Sequence, residues 1–174
     1  MSQRKSKGKN KPSLANPINT TLPTSIIHLT SFHPSKPLFA AVTTAIGQNI
    51  VRIYDTNRGG GQLEARTEIR LKRGDEVSCV VWSGQDGKKR KRAHSSSSLS
   101  PAGDLIIGLK SGRIYVIDQA IGEIVKTLEG HAAQVKGWST FEEKGWSCAT
   151  DGKIKAWDIR TASCLEYKSL PNSS

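Results

Sequence analysis

The chain has 174 residues, and its 26 lysines and arginines against 15 aspartates and glutamates give a formal net charge of +11. That length allows one domain with tails. The charge is concentrated in two runs, Arg4, Lys5, Lys7, Lys9 and Lys11 near the start and Lys88, Lys89, Arg90, Lys91 and Arg92 in the middle; outside them 16 basic residues face 15 acidic ones, which excludes a basic surface spread over the whole fold.

Residues 1–22 are rich in Lys, Ser, Asn and Pro and hold little to bury, so they read as a disordered basic extension. Order is expected from about Ser25. Ser25 to His33 reads as a first strand stopped by Pro34 and Pro37, Leu38–Thr44 as a second, Ile46–Asn49 as a turn and Ile50–Asp55 as a third. His28 and His33 have a spacing that could serve a metal, but no third ligand is near, so both read as surface or satisfied core histidines. Arg58–Gly61 is a glycine-rich turn without the Gly-Lys-Ser/Thr of a phosphate loop. Thr67–Lys72 completes a four-strand unit, placed at about 23–73.

A second unit, about 74–129, opens at Gly74-Asp75 with an apolar strand from Glu76 to Trp82. Residues 83–103 then interrupt it with the basic run and the tract Ser95–Ser98. Such a segment has no apolar area to bury and reads as a loop leaving the fold. Asp104–Leu109, Arg113–Asp118 and Glu123–Leu128 resume the strand pattern around the turn Ser111-Gly112. The third unit, about 130–170, runs from Gly130-His131 through a hairpin signal at Asp151-Gly152 to Trp157-Asp158 and a last strand, Ser163–Lys168, with 171–174 as a tail. Asp-Gly suits a tight hairpin because its central residues need positive φ. In Lys153–Asp158, Ile154 and Ala156 alternate with Lys153 and Lys155, which reads as a strand with one buried face.

The third strands end at Asp55, Asp118 and Asp158. The second interval is 40 residues, and the first matches it closely once the insertion is set aside. Helical spacing is absent, and a period of this length with four strands is that of a propeller blade. Cys79, Cys148 and Cys164 lie in strand-like runs; odd in number and without a Cys-x-x-Cys, they read as reduced core residues. No apolar run approaches the length of a membrane helix, and the basic N-terminus lacks the apolar core of a secretory signal.

Gly130-His131 and Trp157-Asp158, separated by about 25 residues and flanking an Asp-Gly turn, resemble a WD-repeat blade. The resemblance implies an all-β WD-repeat β-propeller with about three four-stranded blades. It also implies a hydrogen-bonded chain of His131, a hydroxyl from Ser147 or Thr150, Asp151 and Trp157. The second unit has Asp75 where the third has His131, so its chain of this kind is expected to be incomplete. A His, an Asp and a Ser also suggest a hydrolase triad, but the sequence has no nucleophile elbow or oxyanion loop. Three blades are too few to close a ring, so the chain reads as a piece of a longer protein or one completed by a partner.

The order of features is similar to that of nucleolar WD-repeat subunits of the small-subunit processome: a basic extension, a blade with Leu38–Val42 and Val51–Tyr54, Trp82 followed by Lys88–Arg92, then Gly112–Val116. That resemblance implies a non-enzymatic scaffold in ribosome biogenesis in the nucleus and nucleolus. It would act in early small-subunit pre-ribosome assembly on the 5′ external spacer and in rRNA processing. Other WD-repeat and helical subunits would be its partners, and pre-rRNA would be met through the basic segments. No cofactor, metal, membrane or small-molecule substrate is expected. The two basic runs also match nuclear-import signals. The alternative reading is a nuclear WD-repeat adaptor in a chromatin or ubiquitin-ligase assembly, which the blades alone do not separate from the first.

Overall fold

A computed structural model describes residues 26–57, 64–83, 103–141 and 144–169. Twelve strands form three antiparallel sheets of four in simple up-and-down order. The first sheet holds β1 (Ile26–Phe32), β2 (Leu38–Ala45), β3 (Gln48–Asp55) and β4 (Ala65–Arg70). The second holds β5 (Val77–Trp82), β6 (Leu105–Leu109), β7 (Ile114–Asp118) and β8 (Glu123–Leu128). The third holds β9 (Val135–Phe141), β10 (Lys144–Ala149), β11 (Lys153–Asp158) and β12 (Ser163–Ser169).

The sheets stack face to face, with β5 lying between β1 and β9 and β6 also against β9. Two apolar layers fill the gaps. Leu38, Ala40, Val42, Val51 and Ile53 of the first sheet meet Val80, Trp82, Leu105, Ile107, Leu109 and Ile117 of the second. On its other face the second sheet turns Cys79, Ile106, Ile114 and Val116 to Val135, Trp138 and Trp157 of the third. The period-2 alternation of a strand thus feeds two cores at once. β6 is buried at every position because both its faces are covered. Such a strand reads as a continuous apolar run, as Leu105–Leu109 does.

Close approach needs small residues at several points, one in β6 and one in β10 among them. A Cβ on Gly108 would lie 2.7 Å from Val135 Cγ1, and one on Gly145 2.0 Å from Trp138 Cζ2. Val135 and the Trp138 indole take those spaces.

The structure departs from the sequence expectation in several places. The turn expected over Ile46–Asn49 contracts to Ile46-Gly47, with φ of 51° and 70°. Two positive φ values are what a tight two-residue hairpin demands, and they force a β-branched residue into the left-handed region. In β11 the face of Lys153 and Lys155 also carries Trp157, the fully buried residue in the core against the second sheet. On the opposite face Ile154 is only half-buried, whereas Ala156 is buried. The alternation marks two faces, and sheet stacking decides which is covered. Cys79 is buried, but Cys148 and Cys164 are exposed because they lie on parts of the third sheet that no neighbouring sheet covers. The expectations for 1–22, Arg58–Gly61, the greater part of 83–103 with Ser95–Ser98, and 171–174 lie outside the described residues.

Candidate functional site

His131, Ser147, Asp151 and Trp157 come from the segment before β9, from β10, from the β10–β11 turn and from β11. Register places Ser147 opposite Lys155 and Gly145 opposite Trp157, so Ser147 and Trp157 are diagonal neighbours on one face. His131 reaches them because the preceding segment crosses the end of the β6–β7 hairpin. A Cβ on Gly112 in that hairpin would lie 2.2 Å from His131 O, and Gly112 has φ of 89°. Glycine answers both demands, the close backbone approach and the left-handed φ.

The four side chains form one directed hydrogen-bonded chain. Trp157 Nε1–H donates to Ser147 Oγ at 2.7 Å. Ser147 Oγ lies 2.8 Å from His131 Nε2, and His131 Nδ1 lies 2.9 Å from Asp151 Oδ2. An indole only donates and a carboxylate only accepts. With both ends so assigned, Ser147 O–H donates to Nε2 and Nδ1–H donates to Asp151. Asp151 also accepts the N–H of Ala132 at 3.0 Å and of Lys153 at 3.1 Å. Burial pushes the Asp151 carboxyl up, but the hydrogen bonds from His131, Ala132 and Lys153 outweigh it and hold its pKa below the ordinary carboxylate value. Of the two hydroxyls considered for this chain, Ser147 takes the place; Thr150 Oγ1 points to Gln134 O at 3.5 Å.

These contacts have the order of a Ser-His-Asp triad. Ser147 Oγ is however committed on both sides, donating to His131 and accepting from Trp157, and the residue is 2% exposed. A nucleophile needs a free lone pair aimed at a substrate. This serine instead links two elements of one sheet.

The second sheet carries a different network in the corresponding place. Aligning Asp118 with Asp158 puts Ile107 where Ser147 stands and Ile117 where Trp157 stands. The chain seen in the third sheet is therefore missing there, yet Asp75 is fully engaged. Its Oδ2 accepts the Tyr115 hydroxyl at 2.7 Å and its Oδ1 accepts Arg113 Nη2 at 2.7 Å. Asn49 Nδ2 donates to Asp75 O at 2.8 Å, which ties the first hairpin to the second sheet. Burial first, and then Asp75 as acceptor and charge, push the Tyr115 phenol up to about 12. Sequence reading missed Tyr115 and Arg113. Their placement two residues apart at the start of β7 was visible, but nothing local pairs them with a residue about 40 positions earlier.

Of the other residues singled out, His28 is exposed and His33 is buried. His33 Nδ1 accepts the N–H of Ser35 and of Lys36, and the ring packs 4.9 Å from that of Trp82. It is a turn-forming acceptor, and no group of three metal-ligating side chains is found among the described residues. Arg4, Lys5, Lys7, Lys9, Lys11 and Lys88–Arg92 lie outside the described residues.

No protein-family model matches the chain. Over 154 residues, 85% of the chain, it is 24% identical to U3 small nucleolar RNA-associated protein 5 of Schizosaccharomyces pombe. The chain spans 22% of that relative's length. The processome resemblance in the order of features runs to the U3 small nucleolar RNA-associated proteins numbered nine and then five, and the relative matched is the latter. Among solved structures, the WD40 repeats of RRP9 superpose with a TM-score of 0.64 at 15% identity, covering 86% of this chain and 40% of that one. A chain of a mitotic checkpoint complex gives 0.63 at 19% identity, covering 87% and 41%. By fold the chain is a set of WD-repeat β-propeller blades, and by sequence it is similar to a U3 small nucleolar RNA-associated protein.

Proposed function

We propose that the chain is a non-enzymatic scaffold in ribosome biogenesis, acting in early small-subunit pre-ribosome assembly in the nucleolus. One observation carries the reading: the likeness to U3 small nucleolar RNA-associated protein 5 runs through all three blades rather than through one repeat. The buried His131–Asp151 network supports a scaffold role, since its polar groups are spent on one another. In this reading the blades offer surfaces to other WD-repeat and helical subunits, and the basic runs meet pre-rRNA phosphates or an import receptor. The test is affinity purification of the tagged chain followed by quantification of pre-rRNA 5′ external spacer. Enrichment over an unrelated WD-repeat protein is the expected result. Equal recovery from both would overturn the reading.

A further inference from the structure

We propose that Tyr167, Lys153 and Lys155 form a contact for single-stranded RNA on the outer half of the third blade. Lys155 stands opposite Tyr167 across β11 and β12, and Lys153 lies two residues along, so all three share one face. The Tyr167 ring is 61% exposed. Lys153 Nζ lies 5.6 Å and Lys155 Nζ 5.9 Å from its centroid. Lys155 is further positioned by donating to Gly130 O at 2.5 Å. Among the described residues neither ammonium group has a carboxylate partner. The nearby Asp151 carboxylate is already taken by His131 and two backbone N–H groups.

An exposed ring bordered by two unneutralised cations suits one nucleotide. The base stacks on the phenol, and the flanking phosphates draw the ammonium groups outward. Along the strand the two lysines are about 7 Å apart, a spacing that serves an extended chain of charges. An acidic peptide would use the cations and leave the ring idle; a nucleotide uses all three groups. This contact rests on the RNA-associated reading above, and it adds a site on a blade to the two basic runs.

The experiment is a salt titration of a labelled oligouridine against the full chain and three variants, Y167A, Y167F and K153Q, with a polyglutamate peptide as competitor. Y167A is expected to weaken binding about 5- to 150-fold, the span of one base–aromatic stack. Y167F should bind as the parent does, because the ring is kept. K153Q should flatten the slope of log K against log salt by about 0.7, one phosphate's share for a single strand. Melting temperatures should hold, since Tyr167 is exposed and, among the described residues, Lys153 has no other side-chain partner. If the parent binds RNA and all three variants match it, the patch is overturned while the RNA-associated reading stands. If the parent binds no RNA, or prefers polyglutamate, the proposed contact falls.

Discussion

The Tyr115 hydroxyl donates to Asp75 Oδ2 at 2.7 Å, joining β7 to the segment that opens the second blade 40 residues earlier. Asp75 is 3% exposed and Tyr115 4%. Asp75→Ala leaves the phenol without its acceptor and should cost about 1–3 kcal/mol, whereas Tyr115→Phe removes only the donor and should cost about 1 kcal/mol. Arg113 adds little, because its half-exposed guanidinium regains water. Denaturant unfolding of both single variants and the double variant checks this, with a double-mutant loss smaller than the sum expected.

The same phenol gives a pH prediction. Its folded pKa of about 12 lies above the unfolded value of 10. A raised pKa means that its contribution is fully present below pH 10 and is lost as pH rises through about 12. Burial also pushes the Tyr54 phenol up, so phenolate absorbance during titration should show late ionisation that loses one component in Tyr115→Phe.

In the third blade the buried chain should fail as a unit. Trp157 is fully buried, so Trp157→Ala should cost about 3–5 kcal/mol. Ser147→Ala strands the indole N–H and His131 Nε2, and Asp151→Ala strands His131 Nδ1–H; each should cost about 1–3 kcal/mol. Thermal melts read the effect. Unchanged melting with altered partner binding would reassign these residues to a surface role.

Asp104 works against the fold at neutral pH. It lies where Ser83 N donates to Asp104 O at 2.8 Å, at the base of the 84–102 segment. Burial, and next the charge of Asp118, raise its carboxyl from 3.8 to about 6. The protonated form is the one the fold prefers, so its contribution is present below pH 3.8 and lost as pH rises through about 6. Asp104→Asn should therefore stabilise the protein above pH 6, by less than the full shift implies because water screens the half-buried carboxylate, and change little below pH 3.8. Urea unfolding at both pH values distinguishes this from a pH-independent effect.

Ile46 holds φ of 51° in the first hairpin and is 94% exposed. A β-branched residue there is strained, and nothing is packed to compensate. Ile46→Asn creates the Asn-Gly pair that this turn favours and should stabilise by about 1 kcal/mol. A higher midpoint of unfolding with an unchanged denaturant slope is the expected signature.

The amino-acid sequence by itself determined the strands and their grouping. Alternation in Lys153–Asp158, the Asp151-Gly152 turn and the recurring strand-end aspartates are local signals, because backbone dihedrals and the period of a strand depend on near neighbours. The Gly-His and Trp-Asp pairs pointed to the four residues of the buried chain through a family resemblance. The tertiary structure decided what local pattern leaves open. It chose Ser147 over Thr150, since β10 turns only Ser147 toward His131 and Trp157. It gave Asp75 to Tyr115 and Arg113, and it buried Trp157 on the Lys155 face of β11 as well as Ala156 on that of Ile154. It also set Tyr167 beside Lys153 and Lys155. A period of two tells that a strand has two faces; which face is buried, and against whom, depends on how whole sheets stack.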